Sequence, residues 1–446
     1  MIKKIRVFFW TIEAFLKKHG KIIAIGLLLG IVAFLIIYKL AAYLPSPKRH
    51  ERIGLIGRYS FNQLPKEILA FLGEGLTTID EDGSIKPGLA SKWDISPDNL
   101  VYTFTLKDNI FWQDGRPIKT DQIIYNFKDV ESKVIDDRTI SFILKEPFSP
   151  FPLALSTPVF KNNFLGSGSY KVVKITKDGN YIKLLKLSGP EKNITYHFYP
   201  TVDMAKLGFK IGEVDILDGF FINPFEEDWF KYLKIEKQLK RDRYIGLFFN
   251  NTDALLGNKS LRQALSYAIR NKPTDESRAS GPISFLSWAY NSQVKTYDYD
   301  PKNALNLLEK VKKEKNEEIK LKISTSQAFL PLAEEIQGSW EEILGIKTSI
   351  EIINAIPQDY QIFLGMQEIP SDPDQYLFWH STRKENITNF KDPKIDKLLE
   401  DGRRIADKAK RKEKYFDFQK FLLEEAPVAF FSYPYFYKIS RVSIFP

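Results

Sequence analysis

Residues 22–38, IIAIGLLLGIVAFLIIY, carry no charge and almost no polar atom, a pattern found nowhere else in the chain. Lys39 has a stem long enough to snorkel, so the apolar stretch extends to Leu44. At ~1.5 Å per helical residue that length matches a hydrocarbon core ~30 Å thick. A transmembrane helix is predicted over 22–44. Ahead of it, Phe8, Phe9, Trp10, Ile12, Phe15 and Leu16 predict a short helix lying on the inner leaflet. Behind it, Pro45-Ser46-Pro47 and the charges to Arg52 read as a linker over 45–52. A strand is then predicted over 53–59 and a helix over 65–73. Residues 101–106 and 139–144 alternate with period two and read as half-buried strands. Lys177-Asp178-Gly179-Asn180 is a turn signal between two further strands, 170–174 and 181–187.

The pattern changes after Arg243. Residues 244–249 form a continuous apolar run, too apolar for an edge strand, and 261–270 read as a helix. Asp300 caps a helix with Pro301 at its first position and Ala304, Leu305, Leu307, Leu308 and Val311 on its inner face. A strand (319–324), a helix (327–344, stopped by Gly345) and a second strand (346–353) make a βαβ unit. Helices at 393–408 and 411–425 precede Pro427 and an apolar strand from Val428 to Ser432. That late strand is read as the chain returning to its first lobe, which gives two inter-lobe connections and a hinge.

Charge sharpens the picture. The chain of 446 residues has a net charge of +9, and residues 1–50 alone supply +8 of it. The remainder is nearly neutral, which argues against a nucleic-acid groove. The basic head, residues 1–21, is expected to stay cytoplasmic. A cleaved signal peptide is the competing reading, but the apolar run is long for one and Leu40-Ala41-Ala42 is a poor cleavage site. With no cysteine, the chain has no disulfide, thiol nucleophile, thiolate metal site or lipid-modified N-terminal Cys.

Catalytic signatures do not assemble. Gly166-Ser-Gly-Ser-Tyr-Lys171 has the wrong spacing for a phosphate loop, and no nucleophile elbow occurs. His19, His50, His197 and His380 are scattered without metal-ligand spacing. Asp80-Glu81-Asp82-Gly83 lacks the later acids of a calcium loop and reads as a surface turn. No enzyme, cofactor or metal is expected.

In order along the chain come Gly73-Glu-Gly-Leu76, the run from Ile85 to Asp98 containing Lys-Pro-Gly-Leu-Ala-Ser-Lys-Trp, Tyr102-Thr-Phe-Thr-Leu-Lys-Asp108 and Phe111-Trp-Gln-Asp-Gly-Arg-Pro117. Gly212-Glu-Val-Asp-Ile216, Leu261-Arg-Gln-Ala-Leu-Ser-Tyr-Ala-Ile269, Asp372-Pro-Asp374, Ile395-Asp-Lys-Leu-Leu399 and Glu424-Glu-Ala-Pro427 follow. This ordered set resembles the extracytoplasmic solute-binding proteins of family 5, the oligopeptide- and dipeptide-binding proteins of ABC importers.

The resemblance implies an α/β, two-lobed periplasmic-binding-protein-like fold of the hinged type II kind. Lobe I is expected over 53–250 with a small extra subdomain at about 88–165, lobe II over 251–426, and a return to lobe I over 427–446. It implies a monomeric receptor that captures a peptide or other small organic solute and delivers it to an importer's permease, with separate ATPase subunits. The lipid bilayer is expected to hold it through residues 22–44, with the lobes outside the cytoplasm and no nucleic acid as partner. A ligand-sensing or scaffold module of the same fold is the alternative; an ATPase and two permeases encoded alongside would favour transport. Ligand contacts are expected at Tyr59 and Ser60, Glu74 and Gly75, Asn250, and Gln367, Glu368, Gln375 and Trp379. The family's Asp that holds a peptide's α-amine corresponds to Ile369 here. Glu368 lies next to it, but a one-residue shift in a strand turns a side chain to the other face. Binding is therefore expected to be indifferent to a free α-amine.

Overall fold

The computed structural model describes residues 2–41, 48–161, 164–314, 318–356 and 359–442. Ile2–Ala41 form one uninterrupted helix, so the head is continuous with the apolar run and is not a separate helix. No proline breaks it, and Glu13 pairs with Lys17 one turn on at 2.9 Å. Within it Lys17–Leu35 is long and apolar enough to cross a membrane, by length and composition. Positions 42–47, which hold the end of the predicted span and the start of the linker, lie outside the described residues.

The described residues from His50 onward form a second compact unit. A seven-stranded sheet forms the core of lobe I, in the order Leu233–Leu239, Tyr435–Arg441, Ile216–Phe220, Arg49–Ile56, Lys192–Tyr199, Tyr181–Ser188, Lys171–Asp178. The first strand thus begins at Arg49, inside the predicted linker. It runs parallel to Ile216–Phe220. The helix Val202–Lys210, capped by the Thr201 hydroxyl accepting from the Met204 N–H, links the strands on either side of it.

A four-stranded antiparallel sheet follows the order Ala90–Ile95, Val101–Leu106, Thr139–Leu144, Val130–Asp136. The period-two alternation at Val101–Leu106 sends Tyr102, Phe104 and Leu106 into its core, each at most 1% exposed. Burying side chains of this size contributes ~1.5–3 kcal/mol apiece. A short hairpin, Thr77–Ile79 with Ile85–Pro87, carries the turn 80–84.

Lobe II is built on a five-stranded sheet in the order Lys347–Ile352, Lys320–Thr325, Ile362–Glu368, Arg243–Phe249, Val428–Ser432. The predicted βαβ unit is present: Lys320–Thr325 and Lys347–Ile352 pair in parallel around the helix Leu330–Leu344, and Gly345 ends that helix at φ +64°. Arg243–Phe249 sits between two strands and is covered on both faces. Ile245, Leu247 and Phe249 pack under the helices Lys259–Tyr267, Pro301–Glu314 and Leu330–Leu344. Tyr244 and Phe248 pack under Pro393–Arg404 and Lys408–Glu425. Double coverage is why the run lacks polar alternation.

Two expectations are corrected here. Arg243–Phe249 belongs to lobe II, so the outward crossing precedes Arg243 and does not fall at Asn250. Val428–Ser432 is also a lobe II strand, pairing with Arg243–Phe249, and the return to lobe I is made by Tyr435–Arg441. The apolar strand next to the helix end stays in lobe II, and the more polar strand after it is the one that returns. The two crossings run side by side, with the Lys240 N–H donating to the Pro434 carbonyl at 2.9 Å.

Candidate ligand-binding cleft

A cavity of about 660 Å³ lies between the lobes. Lobe I supplies Leu55, Tyr59, Lys66, Glu67, Tyr196, Asp218, Gln238 and Phe436; lobe II and the crossing supply Lys240, Asp242, Arg243, Glu368, Ile369 and Ser371. A smaller pocket of about 180 Å³ shares Asp242, Ile369 and Ser371 and adds Asp80, Glu81, Asp82 and Arg241. Together they are lined by seven carboxylates and four cations.

Strand ends aim these groups. Arg243 and Glu368 pair across adjacent strands, and both strands reach the cleft at this point. Glu368 approaches Arg243 at 3.6 Å, and Arg243 donates to both oxygens of Asp242 at 3.1 and 3.0 Å. Burial works against ionisation of Asp242, but Arg243 and then Lys240 outweigh it and hold the carboxyl below its ordinary range. Arg243 is in turn raised, first by its hydrogen bond to Asp242. Burial, with the Glu67 charge, raises the Tyr59 hydroxyl against the opposing pull of Arg243.

Further contacts join the two lobes. The Trp288 N–H donates to the Asp82 carbonyl at 3.0 Å, and Lys408 Nζ donates to Ser84 Oγ at 2.6 Å. Ser149 donates its N–H to the Arg403 carbonyl at 2.6 Å, and its hydroxyl is 2.9 and 3.1 Å from the Arg403 and Gly402 carbonyls. Gly83 has φ +78°, and a Cβ there would collide with the Ser371 carbonyl oxygen. The turn 80–84, read from sequence as a surface turn, is a contact between lobes. Among the described residues no group of three or more His, Asp or Glu could hold a metal ion.

The nine residues expected at the site are scattered. Tyr59 and Glu368 line the cavity. Ser60 bonds to Gln63 at the short turn Phe61–Gln63. Glu74 is exposed, its N–H donating to Ser167 Oγ, and Gly75 is buried against the Leu155–Ser156 backbone. Asn250 is buried in lobe II, donating to the Tyr360 carbonyl and accepting from Thr252 and Asn389. Gln367 lies opposite Tyr244 in the lobe II sheet, half-buried. Gln375 and Trp379 are 1% and 2% exposed in lobe II, and their Nε2 and Nε1 have no protein acceptor.

Ile369 lines the cavity too, with its N–H fixed to the Asp242 carbonyl at 2.7 Å. The face-switching argument against Glu368 does not apply, because the strand ends at Glu368 and alternation ends with it. Sequence reasoning missed Glu67, Asp218, Lys240, Asp242 and Arg243. The signal was the charged run Lys240-Arg241-Asp242-Arg243 directly before a fully apolar strand.

Residues 84–388 match the family described as bacterial extracellular solute-binding proteins, family 5 middle. The oligopeptide-binding protein OppA of Bacillus subtilis is 25% identical, the alignment covering 80% of this chain and 81% of OppA. The probable D,D-dipeptide-binding periplasmic protein DdpA of Escherichia coli is 24% identical over 79% of each. Among solved structures, the ABC transporter substrate-binding protein CtaP of Listeria monocytogenes superposes with a TM-score of 0.72 at 23% identity, covering 88% of this chain and 94% of that one. AppA of Bacillus subtilis, solved with a nonapeptide, gives 0.63 at 21% identity over 89% and 95%. These neighbours share the two-lobed periplasmic-binding-protein fold. The chain belongs to the bacterial extracellular solute-binding proteins of family 5.

Proposed function

We propose that this protein is the membrane-anchored receptor of an ABC importer, capturing a short peptide or a peptide-like organic solute between its lobes. The observation that carries this reading is the 660 Å³ cavity lined by charged groups from both lobes. Its size falls within the ~300–1,000 Å³ of small-molecule sites. Mixed charge suits a peptide-like solute, whose polar and charged groups need partners when desolvated. Support from relatives comes from proteins whose names record oligopeptide and dipeptide binding. A ligand touching both lobes draws the open–closed equilibrium toward the closed form, which docks on the permease; energy comes from separate ATPase subunits. The apolar helix holds a monomeric receptor at the cell membrane with its lobes outside the cytoplasm, raising its effective concentration at the permease.

The test is native purification followed by mass spectrometry of the co-purifying small molecules, then titration of the species found. A peptide or peptide-like solute released on unfolding supports the reading. A sugar, or a metal chelate without peptide bonds, would replace it.

A further inference from the structure

At the end of lobe I where its first strand begins, four chain segments come level. The Asp215 N–H donates to the Arg52 carbonyl at 2.9 Å, Ile216 pairs with Ser440, and Leu233 pairs with Arg441. The Val442 N–H donates to the Tyr232 carbonyl at 3.0 Å, and Arg52 donates to the Gly212 carbonyl at 2.7 Å. Three segments bring large apolar side chains to this end: Ile211 closing the helix Val202–Lys210, Phe230 and Tyr232 in the turn Glu227–Tyr232, and Val442. They are 69%, 42%, 59% and 47% exposed. Lys210 sits 4.9 Å over the Trp229 ring, and Lys231 4.9 Å over Tyr232.

We infer that this pole of lobe I is a lipid-docking surface, seated in the headgroup region of the bilayer that holds the anchor. The inference rests on the anchor reading. Seven residues, 42–48, separate Ala41 at the end of the apolar helix from Arg49, the first residue of lobe I's sheet. That tether spans no more than about 30 Å even when fully extended. The pole carrying the exposed aromatics is thus the part of the lobes that cannot leave the bilayer's neighbourhood. Its chemistry fits: aromatic rings with an apolar body and polar edge, accompanied by lysines, are enriched where membranes meet water. Glu226, Glu227 and Asp228 begin the same short turn, so the surface is not a basic patch. Docking proceeds by shallow apolar insertion and does not depend on anionic lipid.

The chain contains no cysteine, so single nitroxide labels can be placed without background. Full-length protein carrying Ile211→Cys, Phe230→Cys or Tyr232→Cys is reconstituted in phosphatidylcholine vesicles, with and without phosphatidylglycerol. Leu28→Cys reports the anchor, and Tyr299→Cys, 45% exposed on lobe II, serves as the aqueous control. Labels at 211, 230 and 232 should be several-fold less accessible to a water-soluble nickel chelate than the label at 299, in both lipids, at a depth of roughly 5–10 Å. Adding Phe230→Asp and Tyr232→Asp should return the 211 label to water. Aqueous signals at all three sites with a hydrocarbon signal at 28 would overturn the docking and leave the anchor standing. Protection only when permease is added would assign the surface to a protein and likewise overturn it. Loss of the protein from the vesicles would overturn both docking and anchor.

Discussion

Arg243 stands between two carboxylates in the cleft, donating to both oxygens of Asp242 and lying 3.6 Å from Glu368 on the neighbouring strand. Both acids at this point are therefore already engaged by one guanidinium, so neither is a free partner for a ligand's ammonium group. N-acetylating a bound peptide should cost less than about tenfold in affinity, whereas losing a working buried amine clamp costs ~2–5 kcal/mol, roughly 30- to 4,000-fold. Arg243→Gln should expose both acids and make the cleft prefer the free amine. Isothermal titration of each peptide pair against both proteins decides it; a hundredfold loss on acetylation in the unmodified protein, reproduced by Glu368→Gln, would establish a clamp at Glu368.

Gly83 matters twice, for its left-handed backbone and for its approach to the Ser371 carbonyl. Gly83→Ala should push the turn 80–84 away from lobe II and shrink the closed population. Apparent affinity falls by the same fraction. Small-angle scattering of the liganded variant should show a larger radius of gyration than the parent; an unchanged profile with unchanged affinity would remove the turn from the closing contact.

Asp372 and Arg411 form a buried bidentate pair, with hydrogen bonds of 2.5 and 2.7 Å and side chains 5% and 7% exposed. Removing one partner strands a buried charge. Asp372→Ala should lower stability by ~3–5 kcal/mol in urea denaturation. A loss below ~1 kcal/mol, typical of a surface pair, would show that water reaches the guanidinium.

His197 is half-buried beside Glu213, with Nδ1 3.2 Å from its carboxylate. Burial depresses the imidazole's pKa despite the opposing pull of Glu213. An unfolded histidine titrates near ~6.5, so on acidification the unfolded chain takes up this proton first. The site's contribution to stability should decline as pH falls below ~6.5 and level off only below the folded pKa. Melting curves of His197→Gln should lack that component; identical pH profiles for the two proteins would mean the folded pKa is unperturbed.

The anchor makes a separate claim. The mature protein should keep its N-terminal residues and stay with membranes through alkaline washing. Intact mass spectrometry showing a terminus near Ala42 would convert the apolar helix into a signal peptide.

Legibility in the sequence tracked how locally each feature is determined. Val101–Leu106 and Thr139–Leu144 fall on the predicted residues, because period-two alternation reports one buried face directly. The βαβ unit was readable through Gly345, whose left-handed conformation ends its helix. Lobe membership was less accessible. Val428 and Tyr435 both start strands, and nothing within either run says which sheet receives it. The cleft was the least legible part. Position in a family pattern points to Ser60, Glu74 and Asn250, yet each makes its hydrogen bonds outside the cavity. Asp242 and Asp218 lie 24 residues apart in the chain and line the same cavity, which no local pattern in either segment announces.

The adjacent crossings at Lys240 and Pro434 have a mechanical consequence. Lobe II leaves and rejoins lobe I at one point, so it is an insertion cassette spliced into a domain that owns both the N-terminal strand and the last described one. A pull applied at Arg49 loads the sheet of lobe I along Arg49–Ile56 and never has to traverse the hinge. Under the proposed membrane attachment, ligand capture and release would proceed without the tether's tension crossing the hinge.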